Sequence, residues 1–167
     1  MTVKYSDMPP PIVSQKTHYL HPAALFVSTQ PHIVTTVLGT CVSVCLWDRV
    51  QLFGGINHYM LPYWNGDGLA SPKYGNISMD RLYNKMVTLG AKPNHMIAKV
   101  FGGKAHDDQH SVFNIGEKNA MLAFDFLEKT KITVLGHSVG GPNGRKIQYN
   151  TYTGEVRMKT VRAIGSR

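Results

Sequence analysis

Short runs of alternating or β-branched residues fill most of the chain, and two stretches instead carry the spacing of a helix face. Residues 33–38 (IVTTVL) are β-branched and predict a strand, preceded by a shorter candidate at 25–30. Gly39 and Thr40 interrupt the pattern, and 41–47 (CVSVCLW) resumes it. Residues 52–61 (LFGGINHYML) read as its hairpin partner across a candidate turn at 48–51, where Asp48 suits the first position. The Gly-, Asn- and Pro-rich stretch 62–74 is a loop. Met79, Leu82, Tyr83 and Met86 fall at i, i+3, i+4 and i+7, which predicts a helix over 76–89, capped by Asn76 or Ser78 and stopped at Gly90. A strand over 95–101 ends at Gly102-Gly103.

A second helix is predicted over 115–129, with Ala120, Ala123, Phe124 and Leu127 as its apolar stripe. Asn114 and Glu117 resemble a capping box at its start. Residues 132–135 read as a strand, 136–145 (GHSVGGPNGR) as a glycine-rich loop, and 147–151 with 156–161 as a hairpin around Thr153-Gly154. There is no internal repeat and no linker. The pattern describes a mostly β core with two helices in one domain.

The 167-residue length fits one domain with a real core, and 43% hydrophobic with 17% charged residues is ordinary globular composition. Residues 1–20 are Pro-rich and polar and read as a flexible N-terminal extension, leaving 21–167 as the folded domain. No stretch is apolar enough to insert in a membrane, and no apolar segment follows a basic start as a secretory signal would require. Cys41 and Cys45, four apart on a strand, would be roughly 13 Å apart, beyond the ~7 Å reach of a disulfide. Free thiols without a signal point to the cytoplasm. The net charge of +8 is scattered, densest over 157–167, and no motif accompanies it. A nucleic-acid partner is therefore not expected, while an acidic protein surface suits the charge.

The hairpin carries the candidate chemistry. With Arg49 and Val50 at its tip, Cys41 stands directly opposite His58, with Cβ atoms about 5 Å apart. A thiol and an imidazole at that separation can form an ion pair, and the thiolate is the nucleophile. A bulge at Gly54-Gly55 would instead send His58 to the other face, and a buried Cys beside a half-buried His is the plain alternative. Cys45, opposite Gly54 without a base, reads as a small core side chain. His106 and His110 have helical metal-ligand spacing, but no third or fourth ligand is evident and a polar loop is the better reading. The stretch GGPNGRK lacks the spacing of a phosphate-binding loop and reads as a tight turn. Tyr59, Tyr63 and Trp64 line a cleft or pack in the core and loop. No metal or organic cofactor is called for.

The runs 38–48 (LGTCVSVCLWD) and 54–62 (GGINHYMLP) together resemble the chemoreceptor glutamine deamidase family, CheD. Tyr74-Gly75, 98–103 (AKVFGG), 115–119 (IGEKN), Gly140-Gly141 and 144–146 (GRK) continue the resemblance in order over roughly residues 20 to 160. It implies a single-domain α/β sandwich with a mixed, mostly antiparallel β core and two to three flanking helices. It also implies a Cys-His-Thr triad. Cys41 and His58 fall on its first two positions and Thr35, six residues before the cysteine, on the third, with Thr36 adjacent. The implied substrates are glutamines on the cytoplasmic helices of methyl-accepting chemotaxis receptors, and the implied partner is a CheC-type phosphatase. The same thioester route would accept a glutamyl methyl ester, and backbone N–H groups near Gly39 to Cys41 are the expected oxyanion donors. The rival reading is a non-catalytic adaptor for the receptors or the phosphatase. Nothing in the sequence demands more than a monomer.

Overall fold

The computed structural model describes residues 15–105 and 114–162. Their strands form two sheets. The first takes the order β1 (Lys16–Tyr19), β3 (His32–Leu38), β8 (Gly144–Asn150), β9 (Val156–Val161). The second takes the order β2 (Leu25–Ser28), β5 (Phe53–Asn57), β4 (Val42–Asp48), β6 (Met96–Gly102), β7 (Thr133–Val139). Only β1–β3 and β6–β7 pair in parallel; the other neighbours are antiparallel. Helices α1 (Gly75–Thr88) and α2 (Ile115–Lys129) cover the outer face of the second sheet. No helix among the described residues is long and apolar enough to cross a membrane. The α/β sandwich expected from the resemblance is thus a three-layer stack of sheet, sheet and helices.

The two cores follow from which faces each layer must hide. Val42, Val44 and Leu46 of β4 meet Met79, Leu82 and Met86 of α1 and Ala123 and Leu127 of α2. On the opposite face, Cys45, Ile56 and Phe101 meet Leu20, Val34, Leu38, Ile147 and Tyr149 of the first sheet. The second sheet is covered on both sides, so β4 and β5 are buried almost throughout. That explains why 41–47 shows no polar alternation. In β3, only Val34, Thr36 and Leu38 point inward, and the strand alternates.

Both predicted helices form at their expected places. The Asn114 side chain accepts the Glu117 N–H at 3.2 Å, half of the expected capping box. Several boundaries differ from expectation, among them the strand read over 52–61, which runs Phe53–Asn57, and the one read over 147–151, which starts at Gly144. The last residues of the supposed extension form β1, and Leu20 behind it is fully buried. Of the stretch read as a glycine-rich loop, 136–139 continue β7, because β6 offers a parallel partner up to Gly102. The bulge weighed at Gly54-Gly55 does not form. Gly54 and Gly55 stay in register with Trp47 and Leu46. Added Cβ atoms there would collide with Tyr149 and Leu46 on one side and Val27 and Leu82 on the other. The pair is there for close approach of the layers.

The β4–β5 connection runs over 49–52, two residues wider than a tip of Arg49 and Val50. The fully buried Asp48 shapes it: one carboxylate oxygen accepts the Val50 and Gln51 N–H groups at 2.9 and 2.8 Å, the other the Lys92 N–H at 3.0 Å. Leu52 closes the loop in the left-handed region at φ 58°. Asp48→Ala would strand these donors, each worth about 1–3 kcal/mol when buried and unpaired. Urea unfolding should show a loss of at least about 2 kcal/mol; a variant as stable as the wild type would contradict this account of the turn.

Candidate active site

Cys41 sits where the chain passes from the first sheet to the second, just after the Gly39-Thr40 corner and before β4. The wider turn moves the hairpin register by two residues from the expected one. Cys45 pairs with Ile56, and Val42 exchanges backbone hydrogen bonds with Tyr59 at 3.1 and 3.0 Å. Continued, this register places Ser43, not Cys41, across from His58. A two-residue shift preserves the face, whereas a one-residue shift would have reversed it. Cys41 and His58 are therefore diagonal neighbours, at a Cα spacing of about 7–8 Å, rather than directly opposed. Cys41 is partly buried and packs against the inter-sheet cluster.

His58 is 1% exposed. Its backbone is pinned to the chain leading into β2, its carbonyl accepting the Ala23 N–H at 2.8 Å and its N–H donating to Ala24 O at 3.0 Å. On the ring, Nδ1 lies 2.7 Å from Thr36 Oγ1, and that hydroxyl lies 2.8 Å from the Leu20 carbonyl. A carbonyl can only accept, so the single hydroxyl proton goes to Leu20 and Thr36 Oγ1 accepts the Nδ1 proton. The network thus assigns the Nδ1–H tautomer and leaves Nε2 with its lone pair. Leu20 is itself held, its N–H donating to Thr35 O at 2.9 Å.

The hydroxyl that meets His58 is that of Thr36, not Thr35. Strand alternation decides it, since Thr36 is fully buried on the inward face with Val34 and Leu38, while Thr35 occupies the outward face. Thr35 enters the arrangement through its carbonyl, which anchors Leu20.

Burial pushes the His58 imidazole down to about 4. It pushes the Cys41 thiol up, opposed only by the residue's own backbone N–H. Both shifts favour an uncharged thiol and imidazole over the ion pair that the sequence allows. Cys45 is wholly buried across from Ile56, and burial raises its thiol far above the ordinary range, with nearby Lys99 opposing. It belongs to the core.

The glycine motifs brace Cys41. The Cys41 carbonyl accepts the Gly103 N–H at 2.9 Å, and Gly39 O accepts the Lys104 N–H at 2.9 Å. Gly102 has φ 111°, and a Cβ there would lie 2.2 Å from Cys41 O. Arg145 ties the ends together, donating to Gly102 O at 3.1 Å, Gly140 O at 2.6 Å and Ser138 Oγ at 3.0 Å. The GGPNGRK stretch is therefore a turn whose arginine clamps the backbone behind Cys41. Tyr59 is core, whereas Tyr63 is exposed and the Trp64 indole donates to Asp67 O at 2.9 Å within its loop. Among the described residues no group of three or more His, Cys, Asp or Glu side chains gathers to hold a metal. His106 and His110 lie outside the described residues.

A family model described as "CheD chemotactic sensory transduction" matches residues 60–160. Thr36, Cys41 and His58 precede that span, so the match does not depend on them. A Trichlorobacter lovleyi protein named "Probable chemoreceptor glutamine deamidase CheD" is 47% identical over 142 residues, 84% of this chain and 88% of its own. A Sulfurimonas denitrificans protein of the same name is 42% identical over 146 residues, 86% of this chain and 93% of its own. A third, from Vibrio vulnificus, is 35% identical over 150 residues, 84% of this chain and 69% of its own. The chain belongs to the CheD family.

The His58 environment has a measurable consequence. The unfolded chain binds a proton on this residue below about pH 6.5, while the folded chain resists protonation down to about 4. Stability should therefore fall as pH drops between these values, by up to about 1.4 kcal/mol per pH unit from this residue. Urea titrations between neutral pH and pH 5 should show His58→Asn losing this part of the slope. Equal slopes for wild type and variant would contradict the buried neutral imidazole.

Proposed function

We propose that this chain deamidates glutamine side chains of chemotaxis receptors to glutamate, with Cys41 as nucleophile, His58 as its base and acid, and Thr36 in the third position. The observation that carries the reading is the Leu20–Thr36–His58 chain, which leaves an unprotonated Nε2 on a residue that shares a hairpin face with Cys41. Membership of the CheD family, whose relatives carry deamidase names, supplies the substrate class.

In this mechanism Nε2 takes the thiol proton as Sγ bonds to the glutamine amide carbon, and the C=O electron pair moves onto oxygen. The depressed imidazole pKa makes the resulting imidazolium a strong acid. It returns the proton to the nitrogen as the C–N bond breaks, releasing ammonia and leaving a thioester. His58 then deprotonates a water that attacks the thioester, the C–S bond breaks, and the thiol is restored beside a glutamate. Thr36 holds the ring in its productive tautomer throughout, the orienting role of a third triad member. A glutamyl methyl ester would follow the same path with methanol as leaving group. Binding to a CheC-type phosphatase belongs to the same reading of family membership. The positive net charge suits an acidic receptor surface.

Incubation with a receptor cytoplasmic fragment, followed by peptide mass spectrometry, tests the reading. The wild type should convert particular glutamines and Cys41→Ala none. Thr36→Val should lower kcat roughly tenfold or more, while Thr35→Val stays near wild type. Conversion by Cys41→Ala would exclude the assigned nucleophile, and equal effects of the two threonine variants would exclude the Thr36 assignment.

A further inference from the structure

We infer that Asn119 is a positioning residue that aims the Cys41 N–H at the oxygen of the attacked carbonyl, a role that rests on the thioester chemistry proposed above. Asn119 lies on α2 and is fully buried. Its one amide nitrogen donates to two carbonyls, Thr40 O and Met60 O, each at 3.0 Å. Thr40 immediately precedes Cys41, and Met60 lies two residues past His58. A single side chain thus ties together the two segments that carry the reacting groups. The Asn119 carbonyl accepts the buried Tyr59 hydroxyl, which fixes the helix against the same segment.

The link to catalysis is the planarity of the peptide. Thr40 C=O and Cys41 N–H belong to one rigid unit, and in a trans peptide they point in opposite directions. Holding the carbonyl therefore sets the direction of the N–H. Thr40 O is held from the α2 side, so the Cys41 N–H points away from that helix, toward the inter-sheet side on which Cys41 packs. On the other side of the residue, the Cys41 carbonyl is held by Gly103. When Sγ bonds to a carbonyl carbon, the developing oxyanion is one bond from that carbon and within reach of this fixed donor. A donor that need not reorient is worth most in such a water-poor site.

The residue type fits the task. Two carbonyls need two N–H donors, which Asp, Leu or Ala cannot supply, whereas the Asn amide nitrogen carries both. Its other end, Oδ1, is buried with no hydrogen-bond partner among the described residues.

The test compares two reactions of Cys41 in the full chain. Acylation by p-nitrophenyl acetate forms the Sγ–acyl bond through a tetrahedral oxyanion and expels p-nitrophenolate with the electron pair. Alkylation by iodoacetamide displaces iodide at a methylene carbon and builds no oxyanion. Asn119→Ala should slow acylation, and lower kcat for receptor glutamine about 10²-fold with KM unchanged, while its alkylation rate matches the wild type. Acylation at the wild-type rate, or acylation and alkylation falling in parallel, would overturn the inference. If Asn119→Ala does not fold, Asn119→Asp keeps the volume without the donors, and the same split or its absence decides. A wild type that shows no receptor conversion sinks the substrate assignment alone, because the acylation–alkylation split is read without the receptor.

Discussion

One hydroxyl proton organises the site. Thr36 has a single hydrogen to give, and the Leu20 carbonyl, 2.8 Å away, can do nothing but accept it. The state of the His58 ring follows from that assignment: the proton on Nδ1, the lone pair on Nε2, and a ring held 2.7 Å from Thr36. Leu20 in turn holds its place because β1 pairs in parallel with β3 and its own N–H reaches Thr35 O. A segment that composition marks as flexible thus sets the tautomer of the imidazole.

The architecture explains how such a group survives in an apolar interior. His58 lies between the two sheets, where a charge would be costly and a neutral, hydrogen-bonded ring is tolerated. Burial lowers the affinity of the imidazole for a proton and raises that of the thiol, so the site rests uncharged. In the proposed reaction charge appears only transiently, which is when fixed donors such as a backbone N–H matter most. The glycines at 102 and 103, the Arg145 clamp and the Asn119 amide all act on the backbone around Cys41. Placement of Cys41 is thereby separated from the packing of the hairpin itself.

Strand patterns carried much of this into the sequence. The shared face of Cys41 and His58 was legible because both lie on one hairpin, and period-two alternation keeps them on one face even when the register moves by two. The register itself was not legible. It depends on Asp48 capping N–H groups from its own turn and from Lys92, far along the chain. Thr36 could have been favoured over Thr35 by the alternation of Val34, Thr36 and Leu38, had the inward face of β3 been known. Helix α2 was readable from its cap and apolar stripe, yet the function of Asn119 was not. Its contacts are to backbone carbonyls, which leave no side-chain pattern at the other end. The strand at 136–139 was hidden by its glycine and polar residues, and forms because β6 supplies a parallel edge.

The most direct test of the tautomer on which the account turns is nitrogen-15 NMR of the His58 ring at neutral pH, with long-range proton correlations separating the two nitrogens. The account predicts a protonated Nδ1 and a bare Nε2 in the wild type, with that preference weakened in Thr36→Val. A proton on Nε2, or a ring unaffected by loss of the Thr36 hydroxyl, would contradict it.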